Sequence, residues 1–367
     1  MNILVLSCGT GGGHNAVGIA VAEEMKKRGH DVRFEDVYDL VSKNVGRYLS
    51  GIYIKISRVA PWLFGFIYSL GMKVSKASIE SPVYSLNKRF AEKMQCFLTE
   101  NKFDAIICSH MFPAHILRAV NEAGITPPKT ILIATDYTCH PFMEDSYYDI
   151  FVIPHHDLMA EFVSRGVCAD KIRPLGIPVK SSFNIKREKR EIFELVISGG
   201  RMGAGNIGKA VRNIRKTFCR KRNAHITVIC GNNERLYRKL NKIYKKDDFV
   251  TIIGHTDKMA EYIGSANAFI TKPGGISSTE AAVANVPLIH ISPIPGCESI
   301  NAEYFSERHM SINVGSSKRK LNKALESLFE KENTERMMIA QNFYINSNAN
   351  KEICDHIIGE VCYEKER

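Results

Sequence analysis

The sequence predicts an α/β protein made of two doubly wound, Rossmann-like domains. Three observations carry this. Short β-branched and apolar runs alternate with helical patterns along most of the chain. A glycine-rich turn follows the first strand of each half. And 367 residues, 44% hydrophobic and 24% charged, suffice for two cores of ordinary size.

In the first half, strands are expected at 3–7, 31–35, 105–109, 130–135 and 150–153. Their apolar, β-branched composition is that of parallel strands buried on both faces. Helices fit at 17–28, 82–99 and 114–122. Residues 45–95 break the alternation and form a long insertion. It is rich in aromatic and aliphatic residues, among them Trp62, Phe64, Phe66, Ile67, Tyr68 and Leu70. Eight basic residues from Arg47 to Lys93 stand there against Glu80 and Glu92. This composition suits an interfacial helical region on anionic lipid. It equally suits a helical pair packed on the first domain with solvated charges.

Pro174-Leu175-Gly176-Ile177-Pro178 and the polar run 186–191 read as the linker. The second half then repeats the alternation, with strands at 193–198, 225–230, 250–253, 268–271 and 287–291. Its clearest helices are 207–218 and 234–244, and helices at 335–345 and 351–362 close the chain. The expected division is a first domain over 1–178, a second over 179–335, and terminal helices over 336–367 that could cross back to the first.

Net charge is +11, which favours anionic partners: nucleic acid, a phosphorylated substrate or an acidic membrane surface. Ten cysteines are scattered without a C-x-x-C pair or zinc spacing. The chain enters a core strand at once, so no signal peptide and a reducing cytosol are expected. The uncharged stretch 59–72, between Arg58 and Lys73, has 14 residues and contains Pro61, Gly65 and Gly71. That is too short for a spanning helix.

The chemistry concentrates in three turns. The first is Cys8-Gly9-Thr10-Gly11-Gly12-Gly13-His14, between a strand and a helix. Its glycines allow close approach of a ligand to backbone N–H groups, and His14 at the same corner can act as a base. The second, Ser198-Gly199-Gly200-Arg201-Met202-Gly203-Ala204-Gly205, also feeds a helix, but lacks the Gly-Lys-Ser/Thr of a P-loop and the dinucleotide spacing. In the third, 270–282, Gly274, Gly275, Ser277, Ser278 and Thr279 stand where a diphosphate could take donors. Glu280 is placed to accept from both hydroxyls of a ribose, or else simply caps its helix. The loop Pro293-Ile294-Pro295-Gly296-Cys297-Glu298-Ser299-Ile300-Asn301 offers polar groups to sugar hydroxyls. The His155-His156 pair has no third ligand by spacing and reads as a polar loop. His110, His115 and His140 read as lining a cleft without catalysing.

Together G-T-G-G-G-H, Thr135-Asp136, Leu175-Gly176-Ile177-Pro178, T-K-P-G-G-x-x-x-x-E-A and P-I-P-G-x-E-x-x-N resemble one family of glycosyltransferases. It contains monogalactosyldiacylglycerol synthases and processive diacylglycerol glucosyltransferases. It is similar, more distantly, to the transferase that adds N-acetylglucosamine to lipid I. The resemblance runs from residue 3 to about 305.

The resemblance implies a GT-B fold, two Rossmann-like domains facing across a cleft. A UDP-hexose donor would bind the second domain, and diacylglycerol or a glycolipid acceptor the first. Transfer would invert the anomeric centre. His14 would be the general base, and Asp136 would stand beside the acceptor. Gly11, Gly12 and Gly13 would let acceptor and donor phosphate approach. Gly200 and the Gly274–Thr279 turn would hold the diphosphate, and Glu280 the ribose. Gly254 and His255 would read the uracil, and Glu298 the transferred sugar. Two positions depart from the family pattern. Cys297 replaces the usual glutamine, which leaves the donor hexose open. Lys180 replaces an arginine and can still meet a phosphate as a point charge. No D-x-D occurs, consistent with catalysis without a metal or other cofactor. The resemblance favours the lipid reading of 45–95, so the expected protein is cytoplasmic and peripheral on an anionic membrane, with no nucleic-acid partner. A UDP-sugar epimerase on the same fold and a non-catalytic UDP-sugar or lipid sensor are the alternatives.

Overall fold

The computed structural model describes residues 1–9, 12–41, 51, 61–76, 81–185 and 192–365. It resolves into two compact units, 1–180 with 348–367, and 181–347.

The first unit is built on a six-stranded parallel sheet in the order β2-β1-β3-β4-β5-β6. Its strands are β1 (Asn2–Ser7), β2 (Asp31–Asp36), β3 (Ala105–Cys108), β4 (Lys129–Ile133), β5 (Ile150–Val152) and β6 (Ile172–Arg173). Ile3, Leu4, Val5 and Leu6 are all fully buried, so both faces of β1 are covered. The edge strand β6 has two residues, too few to leave a hydrophobic pattern, and was not expected. Helix α1 (Gly13–Lys27) starts from Gly12 at φ 85°, a left-handed corner that glycine takes without strain. It is followed by α2 (Val37–Val41), α3 (Pro61–Lys76), α4 (Pro82–Lys88) and α5 (Ala91–Glu100). The single helix expected over 82–99 is thus broken at Arg89-Phe90. Of the expected insertion, 45–50, 52–60 and 77–80 lie outside the described residues. Helices α6 (Met111–Glu122) and α7 (Met159–Ser164) complete this half.

The second unit has its own six-stranded parallel sheet, ordered β12-β11-β10-β7-β8-β9. In chain order it runs β7 (Phe193–Ser198), α8 (Ile207–Ile214), β8 (Ala224–Ile229), α9 (Glu234–Tyr244), β9 (Val250–Ile253) and α10 (Met259–Ser265). Then come β10 (Ala268–Thr271), α11 (Gly275–Val283), β11 (Leu288–Ile291), α12 (Cys297–Glu307), β12 (Ile312–Gly315), α13 (Lys318–Ser327) and α14 (Lys331–Tyr344). Leu195, Ile197, Ile226, Val228, Ile270 and Ile289 of one sheet face pack on Ile207, Val211, Ile214 and Leu325. Helix α8 continues through a π-helical turn, Arg215–Cys219, where a plain helix was expected.

The terminal helices part company. Helix α14 stays with the second unit: Gln341 donates to the carbonyls of Val286 and Met310, each at 3.0 Å. The last helix, α15 (Ala349–Lys365), joins the first unit. Its Ile353, Cys354, Ile357 and Val361 are buried, and Asn350 donates to the Ala20 carbonyl at 3.0 Å. The boundary therefore falls after residue 347, not after 335.

The glycine turn after β7 is wound against the loop after β8. Gly203 sits at φ 54°, and a Cβ there would lie 2.1 Å from the Cys230 carbonyl oxygen. Gly203→Ala is therefore expected to cost at least about 2 kcal/mol through strain and overpacking. Urea unfolding checks this, and an unchanged midpoint would contradict the packing described.

Candidate functional site

In a doubly wound sheet, ligands collect outside the carboxyl ends of the strands where the strand order reverses. Each unit has one such point, between β1 and β3 in the first and between β7 and β10 in the second. Most of the candidate residues cluster at these two places.

In the first unit, His14 is the second residue of α1. Its Nδ1 lies 3.1 Å from the Ser109 carbonyl oxygen, just beyond β3. A carbonyl only accepts, so Nδ1 carries the hydrogen and Nε2 keeps its lone pair. The Thr135 hydroxyl, beyond β4, stands 3.0 Å from the same Nδ1. Ser109 also donates its N–H to the Leu6 carbonyl of β1 at 3.0 Å. The ring is thus held from three adjacent strands. His110 meets His14 edge-on with ring centroids 4.3 Å apart. Its own Nδ1 accepts the Phe112 N–H at 3.1 Å and caps α6. Asp136 pairs with His140 Nε2 at 3.1 Å. Burial lowers the His14 pKa to about 4, and His140 acts in the same direction, against Asp136 and the Ser109 carbonyl. The ring is therefore neutral at physiological pH.

Gly12 and Gly13 form the start of α1, which no side chain caps. Gly11 lies outside the described residues. Lys180 pairs with Glu23 of α1 at 2.6 Å, both side chains well exposed, an arrangement of little energetic weight. His115 was expected to line a cleft. It is instead fully buried and donates from Nε2 to the Phe142 carbonyl at 2.9 Å.

In the second unit, Gly200 follows β7 at φ 68°, and a Cβ there would touch Lys272 Cε at 3.5 Å. Gly274 is extended and its Cβ position is open, with Gly275 beginning α11. No side chain caps this helix, so its N-terminal dipole is available to an anion. Ser277 and Glu280 are its part-exposed residues, three apart on one face.

Ser278 and Thr279 depart from the expectation. Helical periodicity turns both inward: the Ser278 hydroxyl lies 2.9 Å from His290 Nε2, and that of Thr279 donates to the Gly275 carbonyl at 2.7 Å. Their hydroxyls hold the helix and its packing. Glu298 and Asn301 likewise brace the turn. Glu298 is buried, ion-paired with Lys272, and accepts the Ile294 N–H at 2.9 Å. Asn301, fully buried, donates to the Pro273 carbonyl at 3.1 Å. A buried carboxylate needs a counter-charge, and Lys272 supplies it. Cys297 is half-buried at the start of α12. Gly254 and His255 follow the edge strand β9, with His255 exposed and 3.5 Å from Asp257.

Sequence reasoning missed Lys272, although it stands inside the quoted T-K-P-G-G run. It also missed His290, which looked like one more strand residue. His290 is fully buried, and its Nδ1 lies 3.1 Å from the Ser311 hydroxyl. Among the described residues, no group of three or more His, Cys, Asp or Glu could hold a metal ion.

Two parallel sheets of this kind are those of the GT-B fold. Over 98% of the chain and 99% of the other, the fold matches the crystal structure of Acinetobacter baumannii MurG, with TM-score 0.61 and 14% identity. It also matches UDP-GlcNAc 2-epimerase from Neisseria meningitidis bound to UDP-GlcNAc, with TM-score 0.64 and 14% identity over 98% and 100%. At such identities the likeness is one of fold alone. Sequence takes the assignment further. Residues 14–179 match the monogalactosyldiacylglycerol (MGDG) synthase family, and residues 194–357 the glycosyltransferase family 28 C-terminal domain. A processive diacylglycerol beta-glucosyltransferase of Bacillus cereus is 26% identical over 326 residues, 85% of this chain and 81% of that protein. One from Staphylococcus saprophyticus is 28% identical over 323 residues, 83% and 79%. The chain thus carries an MGDG synthase domain followed by a glycosyltransferase family 28 C-terminal domain.

Two outcomes follow from the buried charges. Lys272→Met strands the buried Glu298 carboxylate and is expected to cost about 3–5 kcal/mol, whereas Lys272→Met with Glu298→Leu recovers most of it. Urea denaturation of the two variants separates these cases. Burial lowers the His290 pKa from 6.5 to about 3. The unfolded chain then binds a proton at His290 below pH 6.5 that the folded chain refuses, so this residue's contribution falls as pH falls. From pH 7 to 5, wild type should lose about 2 kcal/mol more than His290→Gln. Equal losses in the two proteins would contradict the burial of a neutral ring.

Proposed function

We propose that this glycosyltransferase moves a hexose from a UDP-sugar to diacylglycerol or a related membrane lipid with inversion, His14 being the general base. The observation that carries this is the Ser109 carbonyl on His14 Nδ1, which leaves Nε2 as the proton acceptor. The acceptor hydroxyl attacks the anomeric carbon, its proton passes to Nε2, and the bond to UDP breaks with the electron pair leaving on phosphate. Asp136 favours the imidazolium that forms. In the second unit, the uncapped start of α11, the Ser277 hydroxyl and the Lys272 ammonium supply positive potential for the diphosphate. Glu280 takes the ribose, and the backbone at Gly254 and His255 the uracil. This set of donors serves the leaving group without a metal, so activity should survive EDTA.

The lipid assignment rests on the relatives and on α3. Trp62, Phe66, Ile67 and Leu70 of this helix are 71%, 63%, 50% and 51% exposed, an apolar stripe with Lys73 beyond it. Such a stripe suits shallow insertion into an anionic bilayer. No helix among the described residues is long and apolar enough to cross one. We therefore place the protein on the cytoplasmic membrane surface as a peripheral enzyme. An epimerase has no use for the stripe. Conversion of the donor to an isomeric UDP-sugar without lipid, instead of UDP release that requires lipid, would favour that reading.

Incubation with a panel of UDP-sugars and diacylglycerol liposomes should yield a glycolipid identified by mass. No product with any donor sinks the lipid assignment. His14→Ala should lower kcat by roughly 10²–10⁴-fold. Because the His14 pKa is lowered to about 4, kcat/KM should stay nearly flat from pH 7 to 5 and fall below that. An acid limb centred near 6.5 would rule out this ring in this environment.

A further inference from the structure

We propose that His140 is a positioning residue for the proton-transfer site, seated by the inner face of the lipid-facing helix α3. The inference rests on the function proposed above.

The segment between β4 and β5 carries Thr135, Asp136 and His140. Helix α3 grips it at three successive turns. The Tyr68 ring meets His140 edge-on, with centroids 5.8 Å apart and planes at 85°. One turn on, Gly71 lies so close to Pro141 that a Cβ would stand 3.3 Å from Pro141 Cγ. A further turn on, the Ser75 hydroxyl accepts the Phe142 N–H at 3.4 Å and donates to Glu144. Positions 68, 71 and 75 share one helix face. Trp62, Phe66, Ile67 and Leu70 stay exposed. One helix thus turns an apolar stripe outward and a set of loop contacts inward.

The gripped segment is anchored elsewhere as well. Phe142 is held at φ 68°, costly for a side chain of that size. Its carbonyl accepts from the buried His115, whose Nδ1 meets Asn87 Nδ2 at 3.4 Å, and Tyr38 donates to Asn87 at 3.0 Å. On the other side, Thr138 and the Cys139 N–H donate to Glu161 at 2.6 and 2.9 Å. Between these anchors, His140 holds the Asp136 carboxylate at 3.1 Å. Asp136 in turn stabilises charge on His14. The path runs by contact from α3 through Tyr68 and His140 to Asp136, and from Asp136 to His14 through the charge of the carboxylate. A helix seated on lipid would hold Tyr68 in place, and with it the carboxylate that meets the developing imidazolium. Lipid then governs turnover as well as acceptor supply.

The test uses the full-length protein with diacylglycerol in phosphatidylglycerol vesicles. Tyr68→Leu and His140→Ala should each lower kcat roughly 10-fold. The KM for the UDP-sugar and co-sedimentation with the vesicles should change less than about 2-fold, and Tyr68→Phe, which keeps the ring, should stay near wild type. The double variant should be no slower than either single one, since both break the same path. Trp62→Ser with Phe66→Ser should lose vesicle binding instead. Multiplying effects in the double variant, or unchanged kcat in Tyr68→Leu, overturn the proposal. If His140→Ala fails to fold, by its thermal transition, the kcat of Tyr68→Leu against that of Tyr68→Phe decides. Failure of the function itself looks different: wild type then makes no glycolipid at all.

Discussion

The bond between His14 Nδ1 and the Ser109 carbonyl organises the first unit's chemistry. Ser109 sits where β3 ends, and its N–H is already committed to Leu6 of β1. Its carbonyl is left facing the start of α1. A histidine there must present a hydrogen to that oxygen, and the opposite nitrogen must then be the acceptor. Parallel strands pinned at 3.0 Å thus decide the tautomer of a ring on a helix. Thr135, Asp136 and His110 refine its position and charge, but they depend on the same strand ends.

The second unit meets a different requirement. A diphosphate needs donors in an open place, and a helix start needs support from below. Under the proposed function, the residues at the start of α11 divide between these tasks. Gly274 and Ser277 face outward, while Ser278 and Thr279 are spent on the core. The neutral His290 bridges Ser278 and Ser311, and Asn301 holds the Pro273 carbonyl. Lys272 lies between the glycine turn at Gly200 and the buried Glu298. A cation that is already paired costs less to bury, and it still adds positive potential where phosphate charge would develop. The polar residues thus serve mainly as a frame for backbone donors.

The fold is shared with proteins whose printed activities differ, an epimerase among them. What separates this chain from that fold at large is its match in sequence to the MGDG synthase and glycosyltransferase family 28 models. The apolar side of α3 has no counterpart in the two cores, where large apolar residues are covered. The same helix contacts the segment that carries Asp136. Surface and chemistry are therefore linked within one unit.

By itself the sequence determined most of the architecture. Buried parallel strands are continuous apolar runs, so ten of the twelve could be found by composition, and the missed pair, β6 and β12, are short edge strands. The glycine turns were legible because few other residues can take φ 85° at Gly12 or 54° at Gly203. His14 and Glu280 stood out for the same reason, as chemical groups beside such turns. The tertiary structure alone decided what each side chain touches. Ser278 and Glu298 look like ligand groups in a motif, yet packing turns them inward, because a helix face or a buried charge is satisfied only by neighbours distant in sequence. His290 and Lys272 show the converse. Their partners are 12 and 26 residues away, and no local pattern records a bond across a fold.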